Sequence, residues 1–151
     1  MNASSNATSA YPAALWQRLS ALLYDLFPLL ALWLVIAGLS YWIRGAQPVA
    51  PGSLAAWAEF ALLWLVTALY AVVSWRFGGQ TVGMRAWRLR VVDDHGQRPT
   101  WPALCVRFAA AHGSWALLGL GWLWSLWEPQ GRTLHDLISR TRMVKLQTPR
   151  A

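Results

Sequence analysis

The stretch LSALLYDLFPLLALWLVIAGLSYWI, residues 19–43, decides the fold of this chain. Its only Asp, Glu, Lys, Arg or His residue is Asp25. As an α-helix, a stretch of this length extends about 38 Å, which exceeds the hydrocarbon core of a bilayer at about 30 Å. The stretch therefore predicts a membrane-spanning helix, which we place at residues 16–43.

A second apolar stretch, LAAWAEFALLWLVTALYAVVSW at residues 54–75, contains one acid, Glu59. It is also long enough to cross a bilayer, and we place its helix at residues 54–76. The connection between the two stretches is short and rich in Pro and Gly, which turns the chain straight back. A helical hairpin follows, and we expect Glu59 to pair with Arg44 across it.

The third apolar segment, residues 101–127, has no acid, Lys or Arg after Arg107 until its end. It either crosses the membrane or turns back near residues 112–114 as a re-entrant hairpin. A crossing would divide the 13 Lys and Arg residues seven to six between the two sides, whereas re-entry leaves only Arg44 opposite the other 12. The positive-inside rule favours re-entry, and in both cases the N-terminus is predicted to be cytoplasmic.

Composition supports a membrane protein rather than a soluble enzyme. The chain is 56% apolar and 13% charged, against about 25% charged residues in an average globular domain. We therefore predict an all-α polytopic membrane protein with two transmembrane helices and a third helical segment. The remaining parts are predicted to be an unstructured tail (1–14), a basic loop (77–100) and a C-terminal tail (128–151), so that the membrane domain covers residues 15–151.

The basic loop has a pattern suited to a membrane surface. Arg85, Arg88 and Arg90 alternate there with apolar residues, which predicts contact with anionic lipid headgroups while the apolar side chains dip inward. The net charge of +7 is also compatible with nucleic acid as a partner, but the sequence contains no recognisable nucleic-acid-binding module. We expect the lipid bilayer as the partner and no nucleic acid.

Charged residues inside the apolar stretches are the candidates for function. An ionised Asp25 needs a partner at its depth, and we favour a network with Arg107 or Arg18. Such a network either handles ions and protons or only fixes helix packing, and the sequence leaves both open. Asp136 follows Thr133 at capping-box spacing, so it is expected to hold a helix N-terminus.

No enzyme chemistry is indicated by the remaining polar residues. The chain has one cysteine, Cys105, and its histidines do not form a metal-ligand cluster, since His112 is isolated and His135 has only Asp136 beside it. No catalytic triad or phosphate-binding loop is present. We expect no cofactor, no metal and no enzymatic activity.

Three motifs resemble those of the RDD family of small bacterial membrane proteins. Residues 16–25 (WQRLSALLYD) are similar to the family's first helix, with Arg18 and Asp25 in the named places. The family's central glycine loop corresponds to Gly79, Gln80, Thr81 and Gly83, and its closing motif corresponds to residues 132–136 (RTLHD). Departures are Met84 where the family often has Lys, Arg88 where Gly is usual, and Ser139-Arg140-Thr141 where Ala-Gly-Thr is common.

The resemblance implies an integral protein of the bacterial cytoplasmic (inner) membrane, and some members of the family are described as cation/proton antiporters. The motifs contain Arg18, Asp25 and Asp136, which together with Arg107 form the candidate charge network. One hypothesis is therefore transport of a small cation, proton or solute, with a homo-oligomer supplying the second half that alternating access usually needs. The alternative is a non-transporting scaffold or accessory subunit that docks lipid or a partner protein through its Arg-rich loop.

Overall fold

The computed structural model describes residues 10–147. Two long helices form its framework: α1 spans Leu15–Ile43 and α2 spans Leu54–Gly78. They are antiparallel, because the start of α1 contacts the end of α2 through Asp25 and Tyr70, while Arg44 after α1 contacts Glu59 near the start of α2. Both helices agree closely with the spans predicted from the sequence.

The outer faces of these two helices are apolar and exposed. Phe27, Leu34 and Trp42 of α1 expose 73%, 74% and 76% of their surface. Exposed apolar surface on this scale has no stable place in water, but it is the ordinary surface of a helix in lipid. Both helices are long and apolar enough to cross a membrane.

A small antiparallel sheet joins three distant parts of the chain. Its strands are β1 (Ala10–Pro12), β2 (Leu89–Asp93) and β3 (Thr141–Leu146), in the order β1-β3-β2. Ala10–Pro12 lies within the tail predicted to lack structure, a prediction that is wrong for these residues; residues 1–9 of that tail lie outside the described residues. The sheet was missed because strand pairing here depends on partners far away in sequence, which local periodicity does not reveal.

The predicted basic loop and C-terminal tail both contain further elements. Helix α3 (Val82–Ala86) precedes β2 in the loop, and helix α6 (Leu134–Ile138) precedes β3 in the tail. Three of the loop's apolar residues do not dip into lipid as predicted, because Met84, Leu89 and Val91 are buried in the protein core. Leu89 and Val91 lie on the inward face of β2, and the packing of α3 against α1 buries Met84.

The third apolar segment is bent. Helix α4 (Trp101–Ala116) is followed by α5 (Leu120–Leu123) and a 3-10 turn (Trp124–Leu126), and the two parts meet at 111°. The bend lies at Leu118 and Gly119, which have φ angles of 54° and 80°. The bend therefore lies after residues 112–114. The sequence predicted a turn at those residues, but α4 is still a regular helix there.

The sheet decides how this segment relates to the two spans. Because α1 and α2 return the chain to its starting side, β1 and β2 lie on the same side of the hairpin. The chain of β3 pairs directly with both of them, so it lies on that side too. Both ends of the α4–α5 segment therefore lie on the side of the hairpin that carries the sheet, a path expected of the re-entrant alternative.

Candidate functional site

Two arginines and one aspartate form a buried charge cluster at the base of α1. Arg18 Nη1 donates to Asp136 Oδ2 at 2.6 Å, and Arg107 Nη1 donates to Asp136 Oδ1. The side chains of the three residues expose at most 1% of their surface. This Arg18–Asp136–Arg107 cluster ties α1, α4 and α6 together and carries a formal charge of +1.

Local structure orients the carboxylate of Asp136. Thr133 caps α6, and its Oγ1 accepts from the Asp136 backbone N–H while Asp136 Oδ2 accepts from the Thr133 backbone N–H. This reciprocal pair is the capping box predicted from the sequence. The cap therefore fixes both carboxylate oxygens towards the two guanidinium groups.

Backbone and hydroxyl groups hold the two arginines in place. Arg18 also donates to the carbonyl oxygens of Ala13 and Gly131, each at 3.0 Å. Arg107 Nη1 also donates to Thr141 Oγ1 at 2.6 Å, and its guanidinium lies 5.5 Å from the centre of the Trp75 ring. The cluster is thus built from four separate regions of the chain.

Burial and charge shift the titration of the two ionisable residues of α6. Burial opposes ionisation of Asp136, but the Arg107 and Arg18 guanidinium groups hold its pKa well below its usual range. Burial, assisted by the same guanidinium groups, lowers the pKa of His135 to about 3. At neutral pH, Asp136 is therefore ionised and His135 is neutral.

Asp25 belongs to a second, separate set of contacts. Its Oδ1 accepts from the Tyr70 hydroxyl at 2.6 Å and from the Gly83 backbone N–H at 2.8 Å. Its Oδ2 accepts from the Thr81 hydroxyl at 2.5 Å. These three donors come from α2 and from the start of α3, so Asp25 fastens the loop after α2 onto α1.

The predicted pairing of Asp25 with Arg107 or Arg18 is therefore wrong at the level of direct contact. Arg18 lies two helical turns before Asp25, about 10.5 Å along the axis. Instead, α2 and the loop after it lie against Asp25 and supply neutral hydrogen-bond donors to its carboxylate. Within residues 10–147, the ion-pair partner of both arginines is Asp136.

Each residue of the glycine loop (Gly79, Gln80, Thr81 and Gly83) has a structural role. Gly79 ends α2 with a φ of 69°, and Gln80 Nε2 donates to the Leu89 carbonyl oxygen. Thr81 caps α3 as well as binding Asp25. A Cβ on Gly83 would overlap the Ala21 carbonyl oxygen, so only glycine allows α3 to approach α1 this closely.

A cavity of about 600 Å³ lies between α1, α2 and α4. At one end it is bordered by charged and polar side chains, and along the rest mostly by apolar ones. The polar end includes Arg18, Asp25, Arg107 and His135, so residues of both contact sets face one cavity. Its size falls within the range of about 300–1,000 Å³ typical of ligand pockets.

Arg85, Arg88 and Arg90 are exposed, on the side of the molecule that carries the sheet. At the opposite end of the hairpin, Arg44 Nη2 lies 3.1 Å from Glu59 Oε2, which confirms the predicted pair. His112 is exposed, and its Nδ1 lies 2.9 Å from the Phe108 carbonyl oxygen of the same helix. Across residues 10–147, no group of three or more His, Cys, Asp or Glu side chains could hold a metal ion.

The fold and the site define a class: a polytopic membrane protein whose helical hairpin, bent third segment and small sheet enclose a buried charge cluster. The RDD family model matches residues 12–140, and the chain belongs to this family. The match includes every residue of the Arg18–Asp136–Arg107 cluster and of the Asp25 contacts. No curated protein and no solved structure was matched by this chain.

Proposed function

We propose that this RDD protein is a transport protein of the bacterial cytoplasmic membrane and that its solute occupies the cavity between α1, α2 and α4. The observation that carries the proposal is the cavity itself, in which an apolar space ends at buried Arg18, Asp25 and Arg107. Buried charged groups within a membrane protein are costly, and where they border a cavity they commonly mark a solute path.

Transport of a solute fits the contacts better than exchange of a cation for a proton at Asp25. Both oxygens of Asp25 are occupied by donors from Tyr70, Thr81 and Gly83. A carboxylate that took up a cation would have to release these donors in each cycle. We therefore propose that Asp25 holds the loop after α2 against α1. The solute then lies beside Asp25 rather than bound to its carboxylate.

We further propose that the N-terminus is cytoplasmic and that the chain works as a homo-oligomer. The support for the orientation is the charge distribution, because Arg44 is the one Lys or Arg of residues 10–147 that lies at the far end of the hairpin. The support for an oligomer is size, since alternating access commonly uses two related halves and residues 10–147 form a single membrane hairpin.

Flux through sealed proteoliposomes tests the proposal. The solute probe is a fluorescent lysophospholipid, whose acyl chain suits the apolar cavity, read by quenching from outside; proton movement driven by a Na⁺ gradient, read with a pH-sensitive dye, tests the cation exchange that the Asp25 contacts disfavour. We expect movement of the lysophospholipid, loss of that movement in Ala111→Phe, which fills the cavity, and retention in Ala109→Phe, which alters an exposed position on the same helix. Folded protein that moves neither probe contradicts transport.

A second candidate function, docking of anionic lipid by a non-transporting scaffold, is favoured by one observation. Arg85, Arg88 and Arg90 are exposed within six residues of each other beside the membrane end of α2. In that case, replacing all three arginines with Gln should dissociate the protein's assembly or release its bound anionic lipid. The cavity should stay unchanged. If that variant keeps its assembly state and its lipid, the scaffold function is excluded.

A further inference from the structure

A second pocket, of about 820 Å³, lies on the side of the molecule that carries the sheet. It differs from the cavity between the helices, although Arg18 and Met143 border both. Its floor is the face of the sheet opposite the core residues Leu89 and Val91, since side chains alternate between the two faces of a strand. The turn at Gly96 and the loop after the 3-10 turn complete its walls. The proposed transport does not use this space.

Two arginines on the floor of this sheet pocket have no carboxylate partner. Arg90 of β2 lies opposite Val144 of β3, and Arg142 of β3 lies opposite Val92 of β2, so the two arginines are diagonal neighbours on one face. Such neighbours are about 7–8 Å apart, within reach of long side chains. Across residues 10–147, neither arginine forms an ion pair. Two like charges therefore lie side by side without a counter-charge from the described protein.

The sheet pocket as a whole is positively charged. Arg18 and Arg132 also line it, and none of the described residues in its lining is Asp or Glu. The carboxylates that pair with these two arginines from outside the lining are Asp136 for Arg18, and Asp94 and Glu128 for Arg132. Set against these three carboxylates, the four lining arginines leave a charge of +1. Arg107, which shares Asp136, and Asp25 add one charge of each sign and do not alter this balance.

The arginines of the sheet pocket are oriented by the protein and open to the outside. Arg90 is exposed, and Arg132 and Arg142 are half-buried. The stem of Arg90 lies against Gly79, since its Cγ would be 3.0 Å from a Cβ added there. Arg132 is held by Glu128, whose carboxylate also accepts from the backbone of the same loop. The pocket therefore presents its cations beside the membrane end of α2, where a ligand can approach.

A phosphate monoester matches this arrangement better than a carboxylate. It carries a charge of about −1.5 to −2 at neutral pH and three strong acceptor oxygens, so one group can balance two arginines. Arginine also binds phosphate through two parallel hydrogen bonds. The floor of the pocket includes the apolar side chains of Val92, Val144 and Leu146, which inorganic phosphate would leave uncovered. An organic ester covers them with its own body.

We propose that the sheet pocket binds the phosphate monoester group of an organic ligand, with Arg90 and Arg142 as the principal donors and Arg132 beside them. Two sources supply this chemistry. One is phosphatidic acid of the membrane, whose headgroup lies at the level of the end of α2. The other is a small water-soluble phosphate monoester. The site is separate from the transport cavity and does not depend on the proposed transport.

Binding of monoesters and diesters to the full chain in a non-denaturing detergent tests the proposal. Native mass spectrometry compares phosphatidic acid with phosphatidylglycerol of the same acyl chains, and calorimetry compares glycerol 3-phosphate with dimethyl phosphate. We expect at least tenfold tighter binding of the monoester in at least one pair. A preference confined to the lipids identifies a membrane lipid as the source, and a preference between the soluble probes identifies a soluble ester.

Two pairs of variants locate the binding. Gln130→Glu adds an acid to the wall of the sheet pocket and should weaken monoester binding at least tenfold, whereas Gln47→Glu makes the same change at the other end of the hairpin and should not. Arg90→Gln should weaken binding several-fold. Joint replacement of Arg85 and Arg88 by Gln removes two exposed cations outside the pocket and should preserve the preference for the monoester. The positions 90 and 130 are exposed, and circular dichroism checks that all variants fold.

Equal binding of monoesters and diesters in both pairs overturns the inference. Equal losses in Gln130→Glu and Gln47→Glu, or equal losses on removing Arg90 and on removing Arg85 with Arg88, also overturn it, because they indicate attraction to the basic surface as a whole. Ala111→Phe, which fills the transport cavity, should leave monoester binding unchanged. Failure of transport and failure of this site are therefore distinguishable.

Discussion

Arg18 and Asp136 form an ion pair of 2.6 Å although 118 positions separate them in the chain. The pair joins the start of the first membrane helix to the part of the chain that follows the bent third segment. With Arg107 on the other carboxylate oxygen, it holds α4 against α1. The ion pairs of this cluster therefore stabilise the packing of α4 against α1, whichever solute the cavity binds.

Loss of the shared carboxylate should be severe. We expect Asp136→Asn to lower the free energy of unfolding by about 3–5 kcal/mol, because two buried guanidinium groups lose their counter-charge. Glu59→Gln should cost about 1 kcal/mol or less, since the Arg44–Glu59 pair is partly exposed. Denaturant titration in mixed micelles, followed by circular dichroism, measures both; similar losses would contradict the assignment.

Stability should fall as the pH is lowered, in two stages. His135 has a folded pKa of about 3, below its ordinary value near 6.5, so the unfolded state binds more protons and stability decreases as the pH drops below about 6.5. The pKa of Asp136 is also depressed, and its contribution is lost as the pH falls below its ordinary value near 4.

Thermal unfolding between pH 8 and pH 3 measures this dependence. His135→Gln should remove the first stage, and His95→Gln, which alters an exposed histidine, should leave it unchanged. A melting temperature that is flat from pH 7 to pH 5 in the unaltered protein would show that His135 is not buried in its neutral form.

The close approach of α3 to α1 makes Gly83 sensitive to a single methyl group. A Cβ there would overlap the Ala21 carbonyl oxygen and contact Asp25, so we expect Gly83→Ala to cost about 1–3 kcal/mol. Gly113→Ala is the matched control, because nothing lies within 4 Å of its added Cβ and alanine favours helices. Equal thermal stability of the two variants would disprove the close approach.

Asp25 and Thr81 should be energetically coupled. We expect the combined loss from Asp25→Asn and Thr81→Val to differ from the sum of the single losses by about 0.5–3 kcal/mol, because the two side chains share one hydrogen bond. Thr67→Val breaks a contact with Trp33 instead and should be additive with Asp25→Asn. A double-mutant cycle on unfolding free energies measures this coupling. Additive losses from Asp25→Asn and Thr81→Val would contradict the role of Asp25 in holding the loop against α1.

Features that depend on local sequence could be predicted. The apolar stretches gave both long helices, the short hairpin brought Arg44 to Glu59, and the spacing of Thr133 and Asp136 gave the capping box. In each case, the deciding residues lie close together in the chain or within one repeating pattern. Charge distribution favoured re-entry of the third segment, which is bent in the structure and returns the chain to the sheet.

Features that depend on distant partners could not be predicted. Strand β1 is three residues long and exists only because β3 pairs with it. The partners of Asp25, Tyr70 and Thr81, are ordinary residues in their local context, and only the folded loop brings them to the carboxylate. Arg88 and Arg140 have φ angles of 55° and 50°, which gives a backbone reason for the glycines usual at these places in the family.

Cysteine accessibility in sealed membrane vesicles tests the central claim most directly, namely that all three strands lie on one side of the membrane. Single cysteines are introduced at exposed positions in a Cys105→Ser background, as His95→Cys before α4, Gln130→Cys after α5 and Gln47→Cys in the hairpin connection. The structure predicts that a membrane-impermeant reagent labels positions 95 and 130 from the same side and position 47 from the other. Labelling of position 130 together with position 47 would contradict it.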